Sequence, residues 1–175
     1  MNLPNAFTFF RILLIPVYAS LYLSHLRGQQ WLALAVFAIA GLTDVLDGRI
    51  ARRRHQVTSL GKILDPVADK LLLMTVIALL AWSGQVSWWV AGFLLARDLG
   101  MLIGGLVMLL IRRPPPAADR FGKMSTLLYF VGIFLAVLRL PGAEVILWMA
   151  VVATFVAAFH YLVRWRTMHV PPATK

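Results

Sequence analysis

The sequence predicts an all-α integral membrane protein, a six-transmembrane-helix bundle, and three observations carry that expectation. Of the 175 residues, 61% are hydrophobic, and the mean hydropathy is +0.80. A soluble domain is about 45–50% apolar. The apolar residues fall into runs near the roughly 20-residue length that crosses a bilayer. Basic residues gather at alternate ends of those runs, as cytoplasmic loops require.

The runs place the spans at Phe7–Leu26, Gln30–Arg49, Leu64–Trp82, Trp88–Ile111, Phe121–Leu138 and Glu144–Arg164. Brief punctuation separates them: Arg27-Gly28-Gln29, Ser83-Gly84-Gln85, Pro114-Pro115-Pro116 and Pro141-Gly142. The three prolines lack the N–H that a helix needs, so they mark a connection. Six spans use nearly the whole length, and no long repeat interrupts them. The chain therefore reads as one domain, 1–175. The first run lacks a charged leader and a small-residue cleavage site, so it reads as a retained span that starts from Met1.

The formal net charge is +10, from 17 Lys+Arg against 7 Asp+Glu. In a soluble protein that excess suggests nucleic acid. Beside apolar spans it reads as topology, with no nucleic-acid partner expected. Arg11, Arg49, Arg52, Arg53, Arg54, Lys62, Arg112, Arg113, Arg120, Lys123, Arg164, Arg166 and Lys175 share one side of a six-span arrangement, while the opposite loops hold Arg27 and Arg139. Both termini are thus expected in the cytoplasm of a multi-pass cell (inner) membrane protein. The same cations could attract anionic headgroups. There is no cysteine, which excludes disulfides and thiolate metal sites.

The acidic residues are equally one-sided. Asp44, Asp47, Asp65, Asp69, Asp98 and Asp119 are expected at or near cytoplasmic span ends, and Glu144 is the exception. Asp44 and Asp47 are three apart and Asp65 and Asp69 four apart, so each pair shares a helix face. A short connection makes the second and third helices antiparallel neighbours, and the two pairs can then meet. Each aspartate costs roughly 2.5–3.5 kcal/mol at helix-centre depth, and intramembrane acids usually mark function. Divalent cations remove both the repulsion and the burial penalty. Mg²⁺ favours carboxylate oxygens together with substrate phosphates, and two ions suit displacement at phosphorus. Gly48 offers close approach to the backbone, a flat nucleotide base being one candidate, and Arg52 could hold a phosphate bidentately.

The plainer account treats each aspartate as a solvated helix end, and it weakens when all the positions are taken together. An EF-hand fails on loop spacing. A divalent-cation transporter would place its acids near the midplane and often shows repeats. A purely structural membrane protein gives no reason for four costly carboxylates.

The run Asp44-x-x-Asp47-Gly48-x-x-Ala51-Arg52, eight residues, Gly61-x-x-x-Asp65-x-x-x-Asp69 resembles the complete signature of the CDP-alcohol phosphatidyltransferases. The opening Asn2-Leu3-Pro4-Asn5-x-x-Thr8-x-x-Arg11 and the run Asp65-Pro66-x-Ala68-Asp69-Lys70 extend the likeness. The resemblance implies an enzyme that moves a phosphatidyl group from CDP-diacylglycerol to an alcohol and releases CMP. It implies metal ligation by Asp44, Asp47 and Asp65, with Asp69 a ligand or, in preference, the general base. It implies a CDP site lined by Asp44, Gly48, Ala51, Arg52 and Gly61, with lesser parts for Asn5 and Thr8. It also implies Mg²⁺ or Mn²⁺, two ions, and a homodimer.

The sequence is most similar to bacterial phosphatidylglycerophosphate synthases and the related cardiolipin synthases of the same fold, so the acceptor expected is glycerol 3-phosphate, giving phosphatidylglycerophosphate, with phosphatidylglycerol as the alternative. Arg97-Asp98 stands where the former tend to show Arg-Glu, which leans toward the latter. Gly122-Lys123-x-Ser125-Thr126 departs by one serine from the Gly-Lys-x-Lys-Thr of glycerophosphate users. Arg97 and Lys123, with Arg120 behind them, are the acceptor-binding candidates. The plainer reading of Arg97 is a partner for an aspartate. Gly100-x-x-x-Gly104 permits close helix packing, and Trp82, Trp88, Trp89, Trp148 and Trp165 read as interfacial anchors.

Overall fold

The computed structural model describes the backbone of residues 3–24, 26–54, 61–111 and 120–168, and the side chains of these residues apart from 3–8, 44–54, 61–63, 65–66, 109 and 161–168. The described residues form six helices and no strand: α1 Leu3–Leu23, α2 Gln29–Arg54, α3 Gly61–Trp82, α4 Trp88–Leu110, α5 Arg120–Val137 and α6 Ala143–Met168. Each coincides with an expected span. α2 runs past the expected end at Arg49, because Ala51 and the arginines after it are good helix formers and no proline stops them.

Two helix ends use the same device. After α3, Gly84 turns left-handed at φ 73°; its N–H donates to the Ala81 carbonyl at 3.0 Å, and the Gln85 N–H donates to Leu80 at 2.9 Å. After α5, Arg139 takes φ 57°, and the Arg139 and Leu140 amides close onto Ala136 and Leu135. These are Schellman closures, which satisfy carbonyls that the helix would otherwise leave bare.

The long helix pairs are α5 with α6, α1 with α2 and α3, α3 with α4, and α4 with α6. Lesser contacts join α5 to α2 and α3. Tyr18, Tyr22, Ala33, Phe37, Val76, Leu80, Leu94, Ile133 and Leu147 fill the shared core. Gly132 lets α5 approach α6: a Cβ there would lie 2.5 Å from Leu147 Cδ2 and 3.3 Å from the Leu147 amide nitrogen. Hydrogen bonds from Tyr22 to Ser83 (2.7 Å) and between Ser125 and Thr154 (2.8 Å) tie α1 to the α3 end and α5 to α6.

The exterior is apolar on every helix, as Leu13, Leu42, Leu71, Ile103, Leu127 and Val152 are all exposed. Arg11, Asp98 and Ser125 are buried instead. That inversion is the arrangement a hydrocarbon solvent selects, and it marks a membrane protein. Trp88–Met108, Arg120–Val137 and Ala143–His160 are each long and apolar enough to cross a bilayer. The described apolar stretches of α1 and α2, Phe9–Leu23 and Gln29–Thr43, are shorter. Exposed Trp31, Trp82, Trp88, Trp89 and Trp148 lie near the start of α2, the end of α3, the start of α4 and the start of α6. With short connections alternating the helix directions, those positions share one end of the bundle, opposite the end where α2 runs into α3. Trp165 lies outside the described side chains.

Three expectations need correcting. Arg11 is buried and engaged within the fold rather than solvated as a charge anchor. Asp98 is not near a span end, since it lies within one residue of the midpoint of α4 and is 0% exposed. Gly100 and Gly104 do not serve packing within the described chain, because a Cβ at either meets nothing within 4 Å.

Candidate active site

The long signature is carried by two helices. Asp44, Asp47, Gly48, Ala51 and Arg52 belong to one unbroken stretch of α2, and Gly61 opens α3, which continues through Asp65 and Asp69. At about 1.5 Å per residue, Asp44 and Asp47 are roughly 4.5 Å apart along the axis of α2, and Asp65 and Asp69 roughly 6 Å along α3. Asn5 and Thr8 fall in the first turns of α1, which packs on both α2 and α3. The side chains of Asn5, Thr8, Asp44, Asp47, Gly48, Ala51, Arg52, Gly61 and Asp65 lie outside the described set, as does the expected meeting of the two aspartate pairs. Asp69 is half-buried and makes an interaction within the fold; Ala68 beside it is fully buried and seats α3 in the core.

The donor chemistry fits a hard divalent cation. Four carboxylates at helical spacing offer oxygen ligands alone, and the chain has no thiolate that would favour a softer metal.

A charged cluster begins at the residue after Asp69. Asp98 Oδ1 accepts from Lys70 Nζ of α3 at 3.1 Å and from Arg97 Nη1 at 3.4 Å. Arg97 Nη2 donates to Thr126 Oγ1 of α5 at 3.0 Å, and its guanidinium sits 5.3 Å over the Tyr129 ring. The Thr126 hydroxyl donates in turn to the Gly122 carbonyl at 3.0 Å. Two cations thus compensate one carboxylate at the centre of the bundle. Losing that carboxylate would leave both uncompensated, a change that costs on the order of 3–5 kcal/mol for a buried pair.

Arg97, the first acceptor candidate, is therefore held by Asp98, Thr126 and Tyr129, and its side chain is 7% exposed. Lys123 and Arg120 occupy the first turn of α5 with their side chains exposed; Arg120 is engaged within the fold. Lys70 and Thr126 stand in runs quoted from the sequence but were given no role there, and Tyr129 was not singled out. A lysine in mid-helix needs a counter-ion, and that signal could have found Lys70. Thr126 and Tyr129 carry no such sign. Beside Arg97, an apolar recess of about 190 Å³ opens between α4 and α6, walled by Phe93, Leu94, Val151 and Phe155.

An apolar-surfaced helical bundle with two aspartate pairs on consecutive helices defines a membrane protein whose acids mark a functional site. The chain matches CDP-alcohol phosphatidyltransferase over residues 1–156, and it belongs to that family of enzymes. It is 34% identical over 171 residues to a probable phosphatidylglycerophosphate synthase of Mycobacterium tuberculosis, covering 93% of this chain and 81% of that one. It is 33% identical over 177 residues to the CDP-diacylglycerol–glycerol-3-phosphate 3-phosphatidyltransferase of Rickettsia typhi, covering 95% and 98%. It is 36% identical over 132 residues to a CMP-forming cardiolipin synthase of Streptomyces coelicolor, covering 72% and 60%.

Proposed function

We propose that this enzyme transfers the phosphatidyl group of CDP-diacylglycerol to glycerol 3-phosphate, giving phosphatidylglycerophosphate and CMP. The observation that supports it most is similarity along nearly the full length of both chains to a relative named for that reaction. Asp44, Asp47, Asp65 and Asp69 hold two divalent ions, Mg²⁺ or Mn²⁺. When bound, these neutralise charge on the diphosphate of the CDP-lipid. Gly48 and Ala51 leave room for the cytidine, Gly61 and Arg52 complete its surroundings, and Asn5 and Thr8 approach from α1. Asp69 accepts the proton of the acceptor hydroxyl. The acceptor oxygen bonds to the phosphatidyl phosphorus, the bond from that phosphorus to the CMP oxygen breaks, and CMP departs. Lys123 and Arg120, with Arg97 behind them, face the acceptor phosphate. The chain forms one domain of six spans, with both termini and the active site on the cytoplasmic side of the cell (inner) membrane, and it works as a homodimer.

A second reading is cardiolipin synthesis, with phosphatidylglycerol as acceptor. It is favoured by the apolar recess beside Arg97, which suits a lipidic acceptor entering sideways. The test is CMP release by purified protein with CDP-diacylglycerol and Mg²⁺ or Mn²⁺. Glycerol 3-phosphate alone supporting release fits the first reading, and phosphatidylglycerol alone fits the second. Release with neither overturns both.

A further inference from the structure

Lys70 directly follows Asp69 on α3, and successive helical residues point about 100° apart. Whatever fixes the Lys70 side chain therefore limits how α3 can rotate, and with it the direction of Asp69. Lys70 is fixed by Asp98, at 3.1 Å. Asp98 cannot turn away to water, since it is 0% exposed and Arg97 also bonds the same oxygen, Oδ1. The connection continues into α5. Arg97 donates to Thr126, and Thr126 closes onto Gly122, the neighbour of Lys123. One carboxylate at the middle of α4 thus reaches α3 one residue after Asp69 and α5 one turn after Lys123. A salt bridge that only added stability could sit anywhere along these helices, whereas this one joins the two that carry the proposed base and the proposed acceptor contact.

We propose that Asp98 is a positioning residue: through Lys70 and Arg97 it sets the Asp69 carboxylate of α3 against the α5 face that bears Lys123. This rests on the reading of Asp69 and Lys123 given above. Displacing a reacting group by about 1 Å can cost on the order of 100-fold in rate, so the device acts on turnover more than on binding.

The decisive variant is Lys70→Met. It leaves Asp98 paired with Arg97 and so strands no buried charge. Kinetics of CMP release are measured with the acceptor that supports turnover, alongside thermal unfolding in detergent. Lys70→Met is expected to lower kcat by roughly 30- to 100-fold, with KM for CDP-diacylglycerol and the melting temperature close to those of the parent. Lys70→Arg, which restores the cation, should recover most of the lost kcat. Adding Lys70→Met to Asp98→Asn should cost little beyond Asp98→Asn alone, because both remove the same constraint. Parental kcat in Lys70→Met, additive losses in the double variant, or a fall in kcat that only tracks a fall in melting temperature would each overturn the proposal. Asp69→Asn is run beside them. If it is inactive while Lys70→Met is unimpaired, the positioning role alone fails. If Asp69→Asn turns over normally, the base assignment fails and takes the positioning role with it.

Discussion

Replacing Gly132 by alanine tests the closest helix approach described. The added Cβ would sit 2.5 Å from Leu147 Cδ2, 2.7 Å from Cγ and 3.3 Å from the Leu147 nitrogen. Favourable carbon contacts lie at about 3.5–4.0 Å, so the overlap is close to a full ångström. Leu147 is 0% exposed and packed within the core. The contact with its backbone also means that a new rotamer alone would not relieve the clash. Overpacking of this kind costs about 1–3 kcal/mol. Against it stands the helix preference for alanine over glycine, about 0.8–1.0 kcal/mol. The net expectation is a loss of roughly 0–2 kcal/mol, from the difference of those two terms. Unfolding in mixed micelles, followed by circular dichroism, measures it. Gly92→Ala is the control, because a Cβ there meets nothing within 4 Å, and it should be neutral or mildly stabilising. A Gly132→Ala protein as stable as, or more stable than, Gly92→Ala would refute the argument from close approach.

Other outcomes follow from the site and the helix ends. Gly48→Leu should abolish CDP-lipid binding by bulk, and unchanged affinity by calorimetry would remove the close-approach role of that glycine. Lys123→Ala should raise KM for glycerol 3-phosphate roughly 10- to 100-fold, the range of one lost charged hydrogen bond, with kcat nearly unchanged; an unaltered KM would point to another acceptor. Chelation by EDTA should stop CMP release, with recovery on adding Mg²⁺ or Mn²⁺, and persistence of activity after exhaustive chelation would argue against the metal role. Arg139 is exposed and adopts φ 57°, which a side chain makes costly by about 1–2 kcal/mol. Arg139→Gly should therefore raise the unfolding midpoint, and a lowered one would mean that the arginine makes compensating contacts.

The helices were legible because their signals are local. Apolar runs of bilayer length and Gly or Pro breaks locate α1 to α6 within a few residues. The aspartate signature was legible for a related reason: spacings of three and four along a helix decide which carboxylates share a face. Asp98 stood at mid-span within the expected bounds Trp88–Ile111, yet it was grouped with the acids at span ends, and only packing shows that it is buried. Its partner Lys70 lies 28 residues away, and Thr126 and Tyr129 enter the cluster through the packing of α5. Arg11 misled in the same way: a cation near the start of a span resembles a topology anchor until packing buries it. The pairing of α5 with α6 through Gly132 depends on a missing side chain, which no pattern of chemistry announces.

The central cluster also bears on how the chain is made. Arginine and aspartate at the middle of a span each cost about 2.5–3.5 kcal/mol during insertion, and α4 carries both side by side. α3, delivered first, brings Lys70 into the bilayer ahead of its partner Asp98. α4 then supplies Asp98, and each helix lowers the insertion cost of the other. α5 arrives next with Thr126 and Tyr129 and completes the surroundings of Arg97. Order of synthesis and order of charge compensation therefore coincide. A nascent chain halted after α4 would hold Arg97 paired with Asp98 but without Thr126 and Tyr129 of α5.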